Sequence, residues 1–472
     1  MFSRSAPAGA RAPWPGLLFL FAALSQSACA THEPLNVDAE QHLAAWRDRG
    51  SNSEKLNALA AAMRRSDASR PSRYNARDGL SAAEMEVAAL LFNPKLRRVR
   101  LAAAVPLASA QLAGLWPDPK FRVNVLRIVE SVEDPWIVMG GLALTLPISG
   151  RLTVEKAHAA ARSRRAAAQV VLAERDLLRE LRLARTHWSG VARRRALLIE
   201  SLEELDAVLA VARSQRQLNR IGAPDLRLLE LERVRRVGRI QLLVLESRRL
   251  ELRLRQLIGL TPEAPIELVT DASWPVAEPG RPGDRASALA ASPELRVARL
   301  GLEVAERSHE LEVRRQYPDL TLGPMAGTEE GETRVGFSLM NLTLPLWNRN
   351  QRAIAEADAR RRVARGRLEE ARQTVVAELA DAEVACNLAR QRREILQTRI
   401  FPIVNRQLAE LRRLAELGDF EVLVILNALT QTLETRLELV EARVAEAAAR
   451  IRRSALVEPL RTEGLVTPKE RS

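Results

Sequence analysis

The sequence predicts a mainly α-helical protein with a small β part, built from one unit used twice, and three observations lead there. Landmarks at Asn93-Pro94, Trp116-Pro117-Asp118, Leu144-Thr145-Leu146-Pro147 and Gly222 return as Ser292-Pro293, Tyr317-Pro318-Asp319, Leu342-Thr343-Leu344-Pro345 and Gly418, at offsets of 199, 201, 198 and 196 residues. Two copies at so long a period exclude a short-repeat solenoid and predict a pseudo-two-fold body. Aromatic residues are only 4% of the chain and charged residues 28%, the balance of long helices and coiled coil rather than of a broad aromatic core. Finally, each copy holds two short windows of period-two apolar residues between long helical stretches. The net charge of +13 comes from arginine mixed with glutamate, the pattern of solvated helix faces. The basic residues are not interleaved with stacking aromatics, so nucleic acid is not expected as a partner.

Residues 1–28 carry the marks of a secretory signal peptide: Arg4 and Arg11 without an acid, an apolar core from Leu17 to Leu24, then small residues. Export is the expected consequence. Ser27-Ala28-Cys29 has the form of a lipoprotein cleavage site with Cys29 lipidated, yet Gln26 stands where an aliphatic residue is usual, and Ala28-Cys29-Ala30 also suits ordinary signal peptidase. Several acyl chains on Cys29 would tether the N terminus to a membrane. Cys386, on a helical stretch, reads as a small core residue. No later segment offers about 18 consecutive apolar residues, so any membrane crossing falls to strands.

Residues 29–90 read as an irregular N-terminal periplasmic segment. The first repeat spans 91–260. It opens on a helix from Pro94 to about Leu115, which Pro106 should bend or interrupt. Strands are expected at about 119–131 and 136–147, joined by a turn from Ser131 to Pro135; the second copy predicts strands at about 319–327 and 333–345 with a turn over Thr328 to Glu332. Of 17 aromatics, six lie in the windows 116–148 and 317–347 that hold these strands, and Trp116, Trp136, Tyr317 and Trp347 sit at strand ends, where a membrane interface favours them. Arg122 and Arg127 constrain the picture, because a lipid-facing arginine at mid-depth costs about 2–4 kcal/mol. At least one of them is therefore expected to face a lumen or lie outside the hydrocarbon.

Each hairpin feeds a long helix. From Arg151 to about Asn219 the chain lacks proline, a run of about 105 Å. Gly222 is expected as the left-handed residue past its end, with Pro224 opening a return helix from about Asp225 to Ile258 of about 50 Å. A long helix beside one of half its length leaves a vacancy, which the segments after Pro94 and Pro293 fit. Residues 261–285, with five prolines, read as a linker wrapped on the outside. The second repeat, 286–457, follows the same plan: a helix from Gln351 to about Leu417 kinked at Pro402, a tip turn at 417–420 matching that at 221–224, and a return from about Glu421 to Leu456. Residues 458–472 form a tail.

In their duplicated order, the Asn93-Pro94 and Ser292-Pro293 starts, the strand-ending Leu146-Pro147 and Leu344-Pro345, and the turn glycines Gly222 and Gly418 resemble the TolC-like outer membrane efflux family, the exit ducts of tripartite pumps and type I secretion systems. The resemblance covers about residues 84–457. It implies a homotrimer in which four strands per chain close one 12-stranded transmembrane β-barrel and long antiparallel helices form an α-barrel reaching through the periplasm. It implies as partners a periplasmic adaptor, an inner-membrane transporter and outer-membrane lipid, and a passive duct with no cofactor. Ile221-Gly222-Ala223 and Leu417-Gly418-Asp419 resemble the tips that dock the adaptor. Asp225, Asp419 and Glu421, with Arg216, Arg220, Arg412 and Arg413 nearby, are candidates for ion pairs that hold the entrance shut.

Other functions fit less well. Five histidines form no metal-spaced pair, no glycine-rich phosphate loop follows a strand and no nucleophile elbow occurs, so catalysis is not expected. The alternative is a lipid-anchored periplasmic coiled-coil scaffold or adaptor without a barrel. Adaptors carry one hairpin beside β-rich modules, whereas this chain has two equal hairpin units.

Overall fold

The computed structural model describes residues 32–36, 38–50, 54, 56–58, 60–61, 79–129, 132–264, 267–269, 285–341, 345–416 and 421–457. The expected signal peptide, Cys29, the second tip at Leu417, Gly418 and Asp419, the strand end Leu342–Leu344, most of the linker and the tail lie outside them. The chain divides after Asp48 into two units. In the first, α1 (Ala39–Arg47) starts where the Asp38 carboxylate accepts hydrogen bonds from the backbone of Glu40 and Gln41, the usual means of satisfying orphan amides at a helix start.

The second unit opens on two helices, α2 (Ala82–Phe92) and α3 (Pro94–Gln111). Helix α2 replaces part of the segment expected to be irregular. Its signal was Ser81-x-x-Glu84: the serine caps the Glu84 amide and Glu84 reaches back to Ser81, a reciprocal capping box. Pro106 does not end α3, which runs through it. One lost hydrogen bond is offset where a helix lies along another, as α3 does on the long helix described next. Strands β1 (Lys120–Arg127) and β2 (Trp136–Leu146) lead into α4 (Arg151–Gln217), of 67 residues, and α5 (Ala223–Ile258).

The second copy repeats the order. A short α6 (Arg285–Ala291) precedes α7 (Pro293–Arg314), then β3 (Leu320–Glu329) and β4 (Glu332–Asn341). The turn between these strands is tighter than expected, two residues with left-handed backbone, Glu330 at φ 52° and Gly331 at φ 81°, the form that matches strand twist in a hairpin. Helix α8 (Gln351–Ile395) passes through a π turn at Leu396–Ile400 into α9 (Phe401–Glu416), and α10 (Val422–Val457) returns. The irregular turn falls directly before Pro402, where a proline displaces the regular hydrogen-bond ladder.

The vacancy beside the long helix is filled as the lengths required. Helix α4 packs against α3 and α7 over part of its length and against α5 and α10 over the rest. The C terminus of α5 meets the N terminus of α3 end to end: the Asn93 side-chain amide donates to the Leu257 carbonyl at 2.7 Å, while its oxygen accepts from the Leu96 amide. Gly259, at φ 91°, permits the joint, since a Cβ there would lie 2.4 Å from the Phe92 carbonyl oxygen. A belt of buried residues surrounds this level, with Met85, Ala88 and Leu90 of α2 packed on Leu178 and Leu181 of α4 and Ile258 of α5. The linker contributes to it, because Leu80 is fully buried and forms a parallel bridge with Leu268.

Charges are also built into the helix contacts. Arg175 of α4 pairs with Glu294 at the start of α7. Burial is the largest single influence on Glu294 and opposes its ionisation, but the hydrogen bond and charge of Arg175, with further hydrogen bonds from the backbone and Ser292, together outweigh it and hold the carboxyl below its ordinary range. Arg236 of α5 is fully buried, with Nη1 donating to the backbone and hydroxyl oxygens of Ser201 at 2.7 Å and Nε to Glu232 at 3.1 Å. Replacing Arg236 by alanine should cost about 3 kcal/mol, the scale for breaking a buried polar pair. Urea denaturation of the detergent-solubilised protein checks this, and an unchanged midpoint would refute it.

Candidate functional site: the four-stranded sheet and the helix tips

The four strands form one antiparallel sheet in the order β1-β2-β3-β4. Its register sorts the side chains. Phe121, Val123 and Val125 pair with Leu142, Gly140 and Val138, and on the same face Leu144 pairs with Leu322 and Pro324, Ala326 and Leu322 with Phe337, Val335 and Leu339. That face is almost wholly apolar, yet Phe121, Val335 and Phe337 are 73%, 81% and 69% exposed. The opposite face is more polar: it carries Lys120, Arg122, Asn124, Thr145, Thr321, Arg334 and Ser338, with Gly141, Gly323, Gly327 and Gly336 between them and the apolar Leu126, Ile137, Met139, Ala143 and Met325 interspersed. An apolar side that faces away from any core, backed by a polar one, is the alternation of a strand between lipid and water. The 11 residues of β2 reach about 36 Å along the strand, which a tilt of about 45° reduces to about the 25 Å of an outer-membrane apolar band.

The two arginines fall as the membrane reading requires. Arg122 lies on the polar face, and Arg127 is the last residue of β1, paired with Trp136 and stacked 5.7 Å from its ring. Trp136 thus marks the turn end of the sheet, while Trp116, Tyr317 and Trp347 flank its helix end and are all exposed. Two aromatic levels result. Between β2 and β3 the backbones come unusually close: a Cβ on Gly323 would stand 1.7 Å from the Leu142 carbonyl oxygen and one on Gly327 2.0 Å from that of Val138. Among the described residues the outer edges of β1 and β4 are unpaired, a condition that water tolerates and hydrocarbon does not.

At the helix end, α4 begins beside β3. Arg151, the first residue of α4, holds Asp319 through two hydrogen bonds, Nε to Oδ1 at 3.2 Å and Nη2 to Oδ2 at 2.8 Å. This contact was absent from the sequence reading, although Asp recurs after Trp116-Pro117 and Tyr317-Pro318 and signalled a repeated structural duty.

The first tip differs from expectation in one respect. Gly222 is extended, φ −76° and ψ 158°, and the left-handed residue is Asn219 at φ 53°. Asn219 and Arg220 donate backward to the carbonyls of Arg216 and Gln215, the paired bonds of a Schellman ending, for which asparagine also serves. Gly222 instead begins α5, with its amide bound to the Asp225 carboxylate at 3.1 Å. Ile221 packs on a cluster in which Leu205, Leu209 and Leu229 meet Leu408, Val422 and Ile425, so both hairpins share one core at this end. Arg216 donates to the Ile221 carbonyl, and Arg412 reaches Glu204 on α4 at 3.4 Å. The side chains of Arg220, Arg413 and Glu421 are exposed. Within one copy, among the described residues, ion pairs at this end join Arg412 to Glu204, Arg213 to Glu230 and Arg233 to Asp206, and none of the three acids is among the candidates expected from the sequence.

The profile of outer membrane efflux proteins matches residues 285–456. That match lies in the second copy of the repeat, from the start of α6 almost to the end of α10. A search of curated proteins finds no match. Solved structures show which fold the whole chain resembles. A membrane protein from Pseudomonas aeruginosa superposes with a TM-score of 0.66 at 18% identity, covering 80% of this chain and 90% of that one. The outer membrane protein VceC of Vibrio cholerae gives 0.66 at 15%, covering 80% and 96%. The CmeC outer membrane channel of Campylobacter jejuni gives 0.65 at 12%, covering 80% and 86%. The duplicated helix-and-hairpin plan is thus the TolC-like fold, with long helices and a four-stranded contribution to a barrel.

Proposed function

We propose that three copies of this chain close a twelve-stranded barrel in the outer membrane and conduct substrates that an inner-membrane transporter delivers through a periplasmic adaptor. One observation carries the reading: a sheet with an exposed apolar face, a polar opposite face and two open edges stands at one end of helices long enough to cross a periplasm. A single copy exposes the edges of β1 and β4, and closure with identical copies removes them. The polar face then lines the pore, with Lys120 and Arg122 giving it positive charge.

The helix turns at Ile221-Gly222-Ala223 and Leu417-Gly418-Asp419 serve as adaptor-docking tips. Arg216, Arg220, Arg412 and Arg413, with Asp225, Asp419 and Glu421, supply the charges of the closed entrance. Cys29, if retained after export, anchors the N terminus by its lipid. The test is fractionation and conductance. The protein is expected in the outer-membrane fraction as a heat-sensitive trimer that opens conducting pores in planar bilayers. Recovery as a soluble monomer without conductance would refute the duct and favour the scaffold.

A further inference from the structure

The duplication extends to the joint between sheet and helix, and there it leaves two halves of a contact apart. Within one copy, Arg151 after β2 grips Asp319 before β3. The same landmarks in the other halves are Asp118, which precedes β1, and the start of α8, which follows β4. Both helix starts come after a left-handed residue, Gly150 at φ 71° and Asn350 at φ 57°, so Gln351 occupies the position of Arg151, and Arg349 lies two residues before it.

Asp118 and Arg349 are both exposed, and neither has a hydrogen bond or ion pair among the described residues. The acid stands at the β1 edge of the sheet and the base at the β4 edge. A head-to-tail ring brings those edges together at each seam. Opposite charges at matching heights favour that approach, and like charges would oppose it.

We propose that Asp118 of one copy and Arg349 of the next form the seam counterpart of the Asp319–Arg151 contact, with the Gln351 amide donating to the same carboxylate. The inference rests on the trimeric reading above and adds the residues that close it. Six joints then ring the barrel base, three within copies and three between them. The seam version differs in chemistry, since the guanidinium comes from the loop rather than from the helix start.

Charge reversal tests the pairing. Asp118→Arg and Arg349→Asp are each expected to lower the yield of heat-sensitive trimer several-fold, and the combined Asp118→Arg/Arg349→Asp chain to restore it. In addition, the double variant Asp118→Cys/Arg349→Cys treated with a short bismaleimide should give covalent dimers and trimers, while either single cysteine variant should not. Trimers unaffected by both reversals, or rescue by Arg352→Asp in place of Arg349→Asp, would overturn the assignment. A wild-type chain that is itself monomeric in outer-membrane extracts would instead overturn the channel reading, and the seam with it.

Discussion

Arginine in place of Val123 is expected to keep the protein out of the outer membrane. Val123 pairs with Gly140 near the middle of β1 and β2, on the apolar face between Phe121 and Val125. A lipid-facing arginine at that depth costs about 2–4 kcal/mol, and a trimer incurs it three times, for about 6–12 kcal/mol per barrel. The neighbouring position serves as the control. Asn124 lies on the polar face with Arg122, so Asn124→Arg should leave trimer yield close to wild type and change only the ion selectivity of the pore. Both variants are read from the heat-sensitive trimer band in outer-membrane fractions. Equal tolerance of the two arginines would mean that the sheet has no lipid side.

A branched side chain at Gly323 is the second large effect. Its Cβ would sit 1.7 Å from the Leu142 carbonyl oxygen, well inside any contact distance, and the obstructing atom is backbone, which cannot rotate away. Gly323→Val should therefore break the pairing of β2 with β3, the one strand pair that joins the two halves of the duplication. Pulse-labelled protein is expected to be exported and then degraded without forming trimers. Gly336→Val, where the nearest atom is the side-chain Cγ of Met325 at an ordinary contact distance of 3.7 Å, should assemble. Trimers of normal yield from Gly323→Val would show that the close approach can relax.

Much of this was legible in the chain because it rests on periodicity and punctuation. The strand windows follow from alternation around Phe121, Val123 and Val125, and the long helix from the absence of proline between Arg151 and Asn219. The register was legible in principle, since Arg122 and Arg127 cannot both sit at mid-depth on the lipid face. What escaped was side-chain pairing at a distance. Asp319 is 168 residues from Arg151, and Arg236 looks like any other arginine among many until Ser201 of a neighbouring helix closes over it. The tip glycine was misassigned for a local reason: asparagine can also adopt the left-handed ending, so Asn219 took that role three residues earlier and released Gly222 to start the next helix. The Ser81-x-x-Glu84 signature stands in the sequence just after a polar stretch, and reading 29–90 as uniformly irregular passed over it.

The joint between α5 and α3 has a mechanical meaning. Helix α4 passes this height as an unbroken rod, stiffened by its own ladder of backbone bonds. The rod beside it is spliced, and across the splice run the Asn93 amide and close packing rather than a continuous ladder. A wall that alternates solid and spliced staves resists stretching along its length yet yields to twist at the level of the splice. Rotation of the tips would therefore be absorbed at this waist before it reached the strands.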